Sequence, residues 1–146
     1  MPTDKYDCLK LENQLCFPLY AASKEIIKQY TPFLKGIDLT YTQYITMMVM
    51  WEYKQMNVKE LGEYVYLDSG TMTPVLKKLE EKGLVSRERS KKDERTLIVT
   101  ITEAGEALKE KAVNIPKQLM NCVKLDIDDS QKLYELLYRL LDTLKR

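Results

Sequence analysis

The stretch Val58-Lys-Glu-Leu-Gly-Glu-Tyr-Val-Tyr-Leu-Asp-Ser-Gly-Thr-Met-Thr-Pro-Val-Leu-Lys-Lys-Leu-Glu-Glu-Lys-Gly83 decides the fold of this chain. Val58, Leu61 and Val65 recur at helical spacing and predict one short helix over Val58 to Tyr66 with a single apolar face. Leu67-Asp-Ser-Gly70 breaks the pattern, because Asp and Ser cap helices and Gly relaxes the backbone. A second helix is expected from about Gly70 to Glu81, burying Met72, Val75, Leu76 and Leu79. It leaves Ser69, Thr71, Thr73, Lys77 and Lys78 outward. Pro74 is tolerable only near the first turn, where a missing N–H costs little. Glu81-Lys-Gly83 predicts a glycine stop.

Working outward, Leu84-Val-Ser-Arg-Glu-Arg89 and Thr96-Leu-Ile-Val-Thr-Ile101 read as two strands joined by a charged tip, Ser90 to Arg95. From Lys82 to Arg95 there are six basic and three acidic residues, a local balance of +3 in a chain whose net charge is +1. Two short helices across a tight turn, the second with small hydroxyls near its start, suit insertion into a major groove about 12 Å wide. The hairpin can reach adjacent phosphates or the minor groove, where Arg is favoured. The bland alternative is a small α+β domain with a solvated hairpin tip.

Composition narrows the classes. A chain of 146 residues, 45% hydrophobic and 31% charged, is long enough for one domain with a core, or for a head fused to long helices. No long apolar span or signal-like N-terminus is visible, so no membrane association is expected. A net charge of +1 gives little bulk attraction to nucleic acid, so DNA binding must come from local clustering. With no histidine, imidazole catalysis and His-containing zinc sites are excluded. Cys8, Cys16 and Cys122 are too scattered for a metal site and too few for a disulfide scaffold. The expectation is a cytoplasmic protein without cofactor or metal, and not an enzyme.

The flanks are helical. From Leu9 to Tyr30, Leu15, Leu19, Ala22 and Ile26 share one side, with Pro18 marking either a start near Cys16 or a kink. A loop is expected from Thr31 to Asp38, then a helix from Tyr41 to about Trp51, capped by Thr40, with Tyr44, Ile45, Met48 and Val49 facing the core. Thr102 caps another helix running towards Met120, with a bend or change of segment at Pro116. Leu133, Leu136, Leu137, Leu140, Leu141 and Leu144 form an apolar stripe on the last helix. The N-terminal helix supplies one mate for it and a second copy of the chain the other; a monomeric bundle is the alternative. Two heads related by a two-fold would meet two half-sites.

The tract Asp68 to Val85, followed by Arg87 and Lys92-Asp-Glu-Arg95, strongly resembles the winged helix-turn-helix of the MarR regulators. Leu11-Glu-Asn-Gln-Leu-Cys-Phe17 with Leu19-Tyr20 resembles the N-terminal signature of the OhrR branch, the organic-hydroperoxide sensors. Pro18 departs from the aliphatic residue of that signature. The resemblance implies a mainly α fold with a small β-hairpin wing: one MarR-type domain over 1–146, with a winged helix-turn-helix head at 41–102 and a helical dimerisation region at 1–40 and 103–146. It implies a homodimeric repressor on pseudo-palindromic double-stranded operator DNA, released when a thiol is oxidised by an organic hydroperoxide. In that family the reactive cysteine matches Cys16, its hydrogen-bonding tyrosines match Tyr30 and Tyr41, and the wing-tip arginine matches Arg95, supported by Asp93.

Tyr30 lies 14 residues after Cys16, about 21 Å along a helix, so the two cannot touch within one helix. Contact requires a partner subunit. Tyr20, one turn after Cys16, has local reach. Oxidised Cys16 would be resolved either by Cys122 of the opposite subunit or by a low-molecular-weight thiol; Cys8 reads as a bystander. For DNA the candidates are Ser69, Thr71, Thr73 and Lys77 in the second helix, with Arg87, Lys91, Lys92 and Arg95 from the wing. Other readings are a MarR-like regulator released by a small phenolic or other ligand, a thiol peroxidase, and a protein–protein adaptor.

Overall fold

The computed structural model describes residues 4–145. Two short 3₁₀ turns, Asp7–Leu9 and Leu11–Asn13, precede seven α-helices and three strands: α1 (Cys16–Lys35), α2 (Tyr41–Tyr53), β1 (Gln55–Asn57), α3 (Val58–Val65), α4 (Ser69–Glu81), β2 (Val85–Arg89), β3 (Leu97–Ile101), α5 (Glu103–Ala112), α6 (Ile115–Cys122) and α7 (Ile127–Thr143). The architecture is mainly helical with a small antiparallel sheet, as expected.

Caps place the central helices. Asn57 accepts from Glu60 N at 2.7 Å and Asp68 Oδ1 from Thr71 N at 2.8 Å, so α3 and α4 each begin on a side chain that satisfies an orphan backbone donor. At the far end of α4 the N–H of Gly83 donates to Glu80 O and that of Leu84 to Leu79 O, a Schellman stop that needs the positive φ of Gly83, 75°. The turn between α3 and α4 is closed by Tyr66, also left-handed at φ 58°.

The core centres on α2, α3, α4 and the sheet, with Leu34, Ala112 and Ile115 joining it from α1, α5 and α6. Leu61, Met72, Leu76, Leu79 and Val99 are fully buried, joined by Met47, Met50 and Trp51 of α2. Each such side chain contributes about 1.5–3 kcal/mol by leaving water. The sheet order is β1-β3-β2, with Met56 opposite Val99 and Arg87 opposite Val99 on the other side. Strand β3 is therefore central. Trp51 Nε1 donates to Gly105 O at 2.8 Å, tying α2 to α5. A Cβ on Gly105 would meet Leu84 O at 2.2 Å, so only glycine allows this approach.

Several expectations need correction. Regular helix begins at Cys16, the first of the two readings offered by Pro18, but it runs through Pro32 to Lys35, where a loop was expected. Lys28, whose carbonyl Pro32 cannot bond, is exposed, so water can take its place. Of the bend or change of segment expected at Pro116, the structure has the change of segment: the helix from Thr102 ends at Ala112 and Pro116 falls in the first turn of α6. On α2, Tyr44, Ile45 and Val49 pack on the core as expected, but Met48 is exposed while Met47 and Met50 are buried. β1 was not anticipated. Within one chain α1 packs mainly on α6 and α2. Leu133, Leu136 and Leu140 are 43%, 56% and 38% exposed.

Candidate DNA interface and thiol site

The exposed face of α4 is built by its cap. Asp68 starts the helix, so Ser69, Thr71, Thr73 and Lys77 all stand exposed along its N-terminal turns, while Met72, Val75 and Leu76 anchor the opposite face. Thr73 Oγ1 donates back to Ser69 O at 2.8 Å. The dipole of the helix favours an approaching phosphate at this end.

The wing is ordered from its tip. Asp93 Oδ1 accepts from Arg95 N at 3.0 Å and Oδ2 from Thr96 Oγ1 at 3.3 Å, while Ser90 N donates to Thr96 O at 2.7 Å. Asp93 thus supports Arg95 through its backbone, leaving the guanidinium outward. Arg89 donates to Glu94 O at 2.9 Å and closes the loop's base. Among the described residues no ion pair engages Lys77, Lys91, Lys92 or Arg95. Arg87 differs from these. Its backbone N–H and guanidinium both donate to the Glu80 carboxylate, at 3.1 and 3.3 Å, and its side chain is 19% exposed. That contact holds the Glu80 carboxyl below its usual range. Arg87 is a brace between α4 and the wing.

The tyrosines converge where α1 meets α2. Tyr30 and Tyr41 ring centroids are 5.0 Å apart, and Tyr44 joins them at 5.7 Å from Tyr30 and 6.4 Å from Tyr41. Burial, then the neighbouring phenols of Tyr41 and Tyr44, push the Tyr30 hydroxyl up to about 12. Burial also raises Tyr41, and burial with the Tyr41 phenol raises Tyr44. All three therefore stay protonated and able to donate. Tyr44, read from the sequence only as core, was the missed member; its spacing of three from Tyr41 was the available signal.

The thiols stand apart from this cluster. Cys16 is the first residue of α1 and exposed, with Tyr30 near the other end of the same continuous helix. Tyr20 carries the Lys24 ammonium 5.2 Å from its ring centre. Cys122 ends α6, exposed, its thiol donating to Gln118 O at 3.6 Å; Cys8 donates to Lys5 O at 3.5 Å. An open, largely apolar recess of about 530 Å³, lined by Lys10, Leu11, Glu12 and Phe17, adjoins the start of α1. Among the described residues no cluster of His, Cys, Asp or Glu could hold a metal ion, and no helix is long and apolar enough to cross a membrane.

A capped helix pair with an exposed second helix, followed by a basic hairpin, defines a winged helix-turn-helix protein. A family model for SarA/Rot transcriptional regulators matches residues 28–112. The chain is 49% identical to the organic hydroperoxide resistance transcriptional regulator of Bacillus subtilis, over 97% of this chain and 96% of that one. It is 50% identical to the HTH-type transcriptional regulator SarZ of Staphylococcus saprophyticus, over 87% of each. It superposes on the structure of reduced AbfR bound to DNA with a TM-score of 0.77 at 33% identity, covering 97% of this chain and 98% of that one. The chain belongs to the MarR family of transcriptional regulators, in the branch that holds these proteins.

Proposed function

We propose that this protein is a redox-sensing transcriptional repressor that binds operator DNA as a homodimer and lets go when Cys16 is oxidised by an organic hydroperoxide. Residues 41–102 serve as the DNA-binding head, and 1–40 with 103–146 as the dimerisation region. The observation that carries the reading is the separation of one site over two ends of α1: an exposed thiol at its first residue and a protonated tyrosine cluster beside its last turns. Only a second copy can bring Cys16 to Tyr30 and Tyr41. The uncovered leucines of α7 supply a surface for that copy.

In the reduced dimer the phenols donate to the Cys16 sulfur and favour its thiolate, the form that attacks peroxide. The thiolate attacks the distal oxygen of the hydroperoxide; the O–O bond breaks, the alcohol leaves after taking a proton, and Cys16 becomes a sulfenic acid. A second thiol, of the partner's Cys122 or of a small molecule, then displaces water and forms a disulfide. The recess beside Phe17 offers apolar surface to the alkyl group. Ser69, Thr71, Thr73 and Lys77 would enter the major groove, with Lys91, Lys92 and Arg95 on the flanking backbone or minor groove, and Arg87 holding wing and helix in register. Tyr20 has reach to its own Cys16.

The test combines a duplex selected by the reduced protein from random-sequence DNA with stoichiometric cumene hydroperoxide. Wild type should release the duplex and Cys16→Ser should not. Non-reducing electrophoresis with intact mass then separates the two resolutions: a cross-linked dimer needing both Cys16 and Cys122, or a monomer carrying an added thiol. Release that survives Cys16→Ser would sink the sensor reading.

A further inference from the structure

Lys82 is the C-cap of α4, and its side chain grips the junction between the two tyrosine-bearing helices. Its ammonium donates to the backbone carbonyl of Asp38 and to Gln43 Oε1 at 3.2 Å, with Asp38 Oδ2 at 3.6 Å. Asp38 lies in the α1–α2 connection at a left-handed φ of 53°. Gln43 is buried, and the same Oε1 accepts from Thr40 N at 3.1 Å within the capping box that starts α2. Tyr41 lies two residues before Gln43 and Tyr44 directly after it, and both rings pack against Tyr30.

We propose that Lys82 is the positioning residue through which the tyrosine junction sets the pose of the recognition helix. The proposal rests on the reading of Cys16 as the oxidised group. Apolar contacts between α2 and α4 are non-directional and tolerate small slides. A charged donor shared by a backbone carbonyl, an amide oxygen and a carboxylate has preferred directions, so a shift of the junction pulls the helix end with it. Gly83, left-handed directly after Lys82, is where α4 turns into the wing. Exposed ion pairs add little stability, and Asp38 is 94% exposed. The contact therefore matters as a linkage.

The experiment measures affinity for the selected duplex before and after cumene hydroperoxide, with thiol titration of Cys16, in wild type, Lys82→Met and Lys82→Arg. Lys82→Met should bind within about threefold of wild type when reduced and oxidise at the wild-type rate, while its ratio of reduced to oxidised affinity falls by about tenfold. Lys82→Arg should keep the ratio. An unchanged ratio in Lys82→Met overturns the proposal, and so does an equal loss in both redox states, which marks a plain helix cap. Lys82→Gln carries the same expectation if the methionine variant does not fold. Failure of oxidised wild type to release overturns the sensor reading and this linkage together; release by wild type and Lys82→Met alike overturns only the linkage.

Discussion

The head and the arms of this chain use the same apolar residue types to opposite ends. In the head, Leu61, Met72, Leu76 and Leu79 are sealed by helices and sheet of the same chain; in α7, Leu133, Leu136 and Leu140 repeat at helical spacing and remain open. The difference lies in what stands opposite. A helix stripe becomes a core only when another surface covers it, and the head brings its own cover while the arms wait for a second copy.

The largest effect expected from this contrast is in the head. Leu76→Ala should lower stability by about 2–5 kcal/mol in chemical denaturation, because a fully enclosed site leaves a cavity. The loss should read the same at low and high protein concentration. Next comes Leu136→Asp in α7, which should raise the dimer dissociation constant by about 100-fold, seen by sedimentation and as a melting temperature that falls on dilution. A variant that stays dimeric at micromolar concentration would break the comparison.

Within the head, Arg95→Ala should weaken operator binding by about tenfold and Lys91→Ala by about threefold, because a minor-groove arginine is worth more than a phosphate contact. Equal losses would reduce the wing to generic attraction. The smallest effect sits at the junction. The folded state raises Tyr30 from 10.0 to about 12, so its contribution to stability is fully present below pH 10, and is lost as pH rises from there through about 12. Phenolate absorbance should show a late-titrating fraction that Tyr30→Phe reduces without abolishing it, since Tyr41, Tyr44 and Tyr53 are raised as well.

The helix pair and wing were legible because their boundaries carry their own chemistry: Asp68 as a cap, Gly83 as a stop, and alternating β-branched residues in β3. Three kinds of feature were not. β1 is three residues long, too short for a period, and exists because Gln55 to Asn57 pair with Ile98 to Thr100. The extension of α1 past Pro32 violates a local rule that solvent at Lys28 relieves. Arg87 and Lys82 looked like two members of one basic cluster, yet Glu80 takes the first and the α1–α2 junction the second. Charge is readable in a sequence, but its partner is not. Within the thiol site, Cys16, Tyr30 and Tyr41 were named in advance, whereas Tyr44 entered only when the two helices were packed.

By itself the sequence determined most of the local elements and the apolar stripes on them, since these depend on periods, caps and spacing along one chain. It also set the impossibility of Cys16 meeting Tyr30 within α1, which follows from helical rise alone. Tertiary structure decided which basic residues are left open to DNA, which tyrosines share a cluster and which end of the recognition helix is tethered to them. Those outcomes depend on contacts between residues distant in sequence, where burial and hydrogen-bond direction, rather than spacing, select the partner.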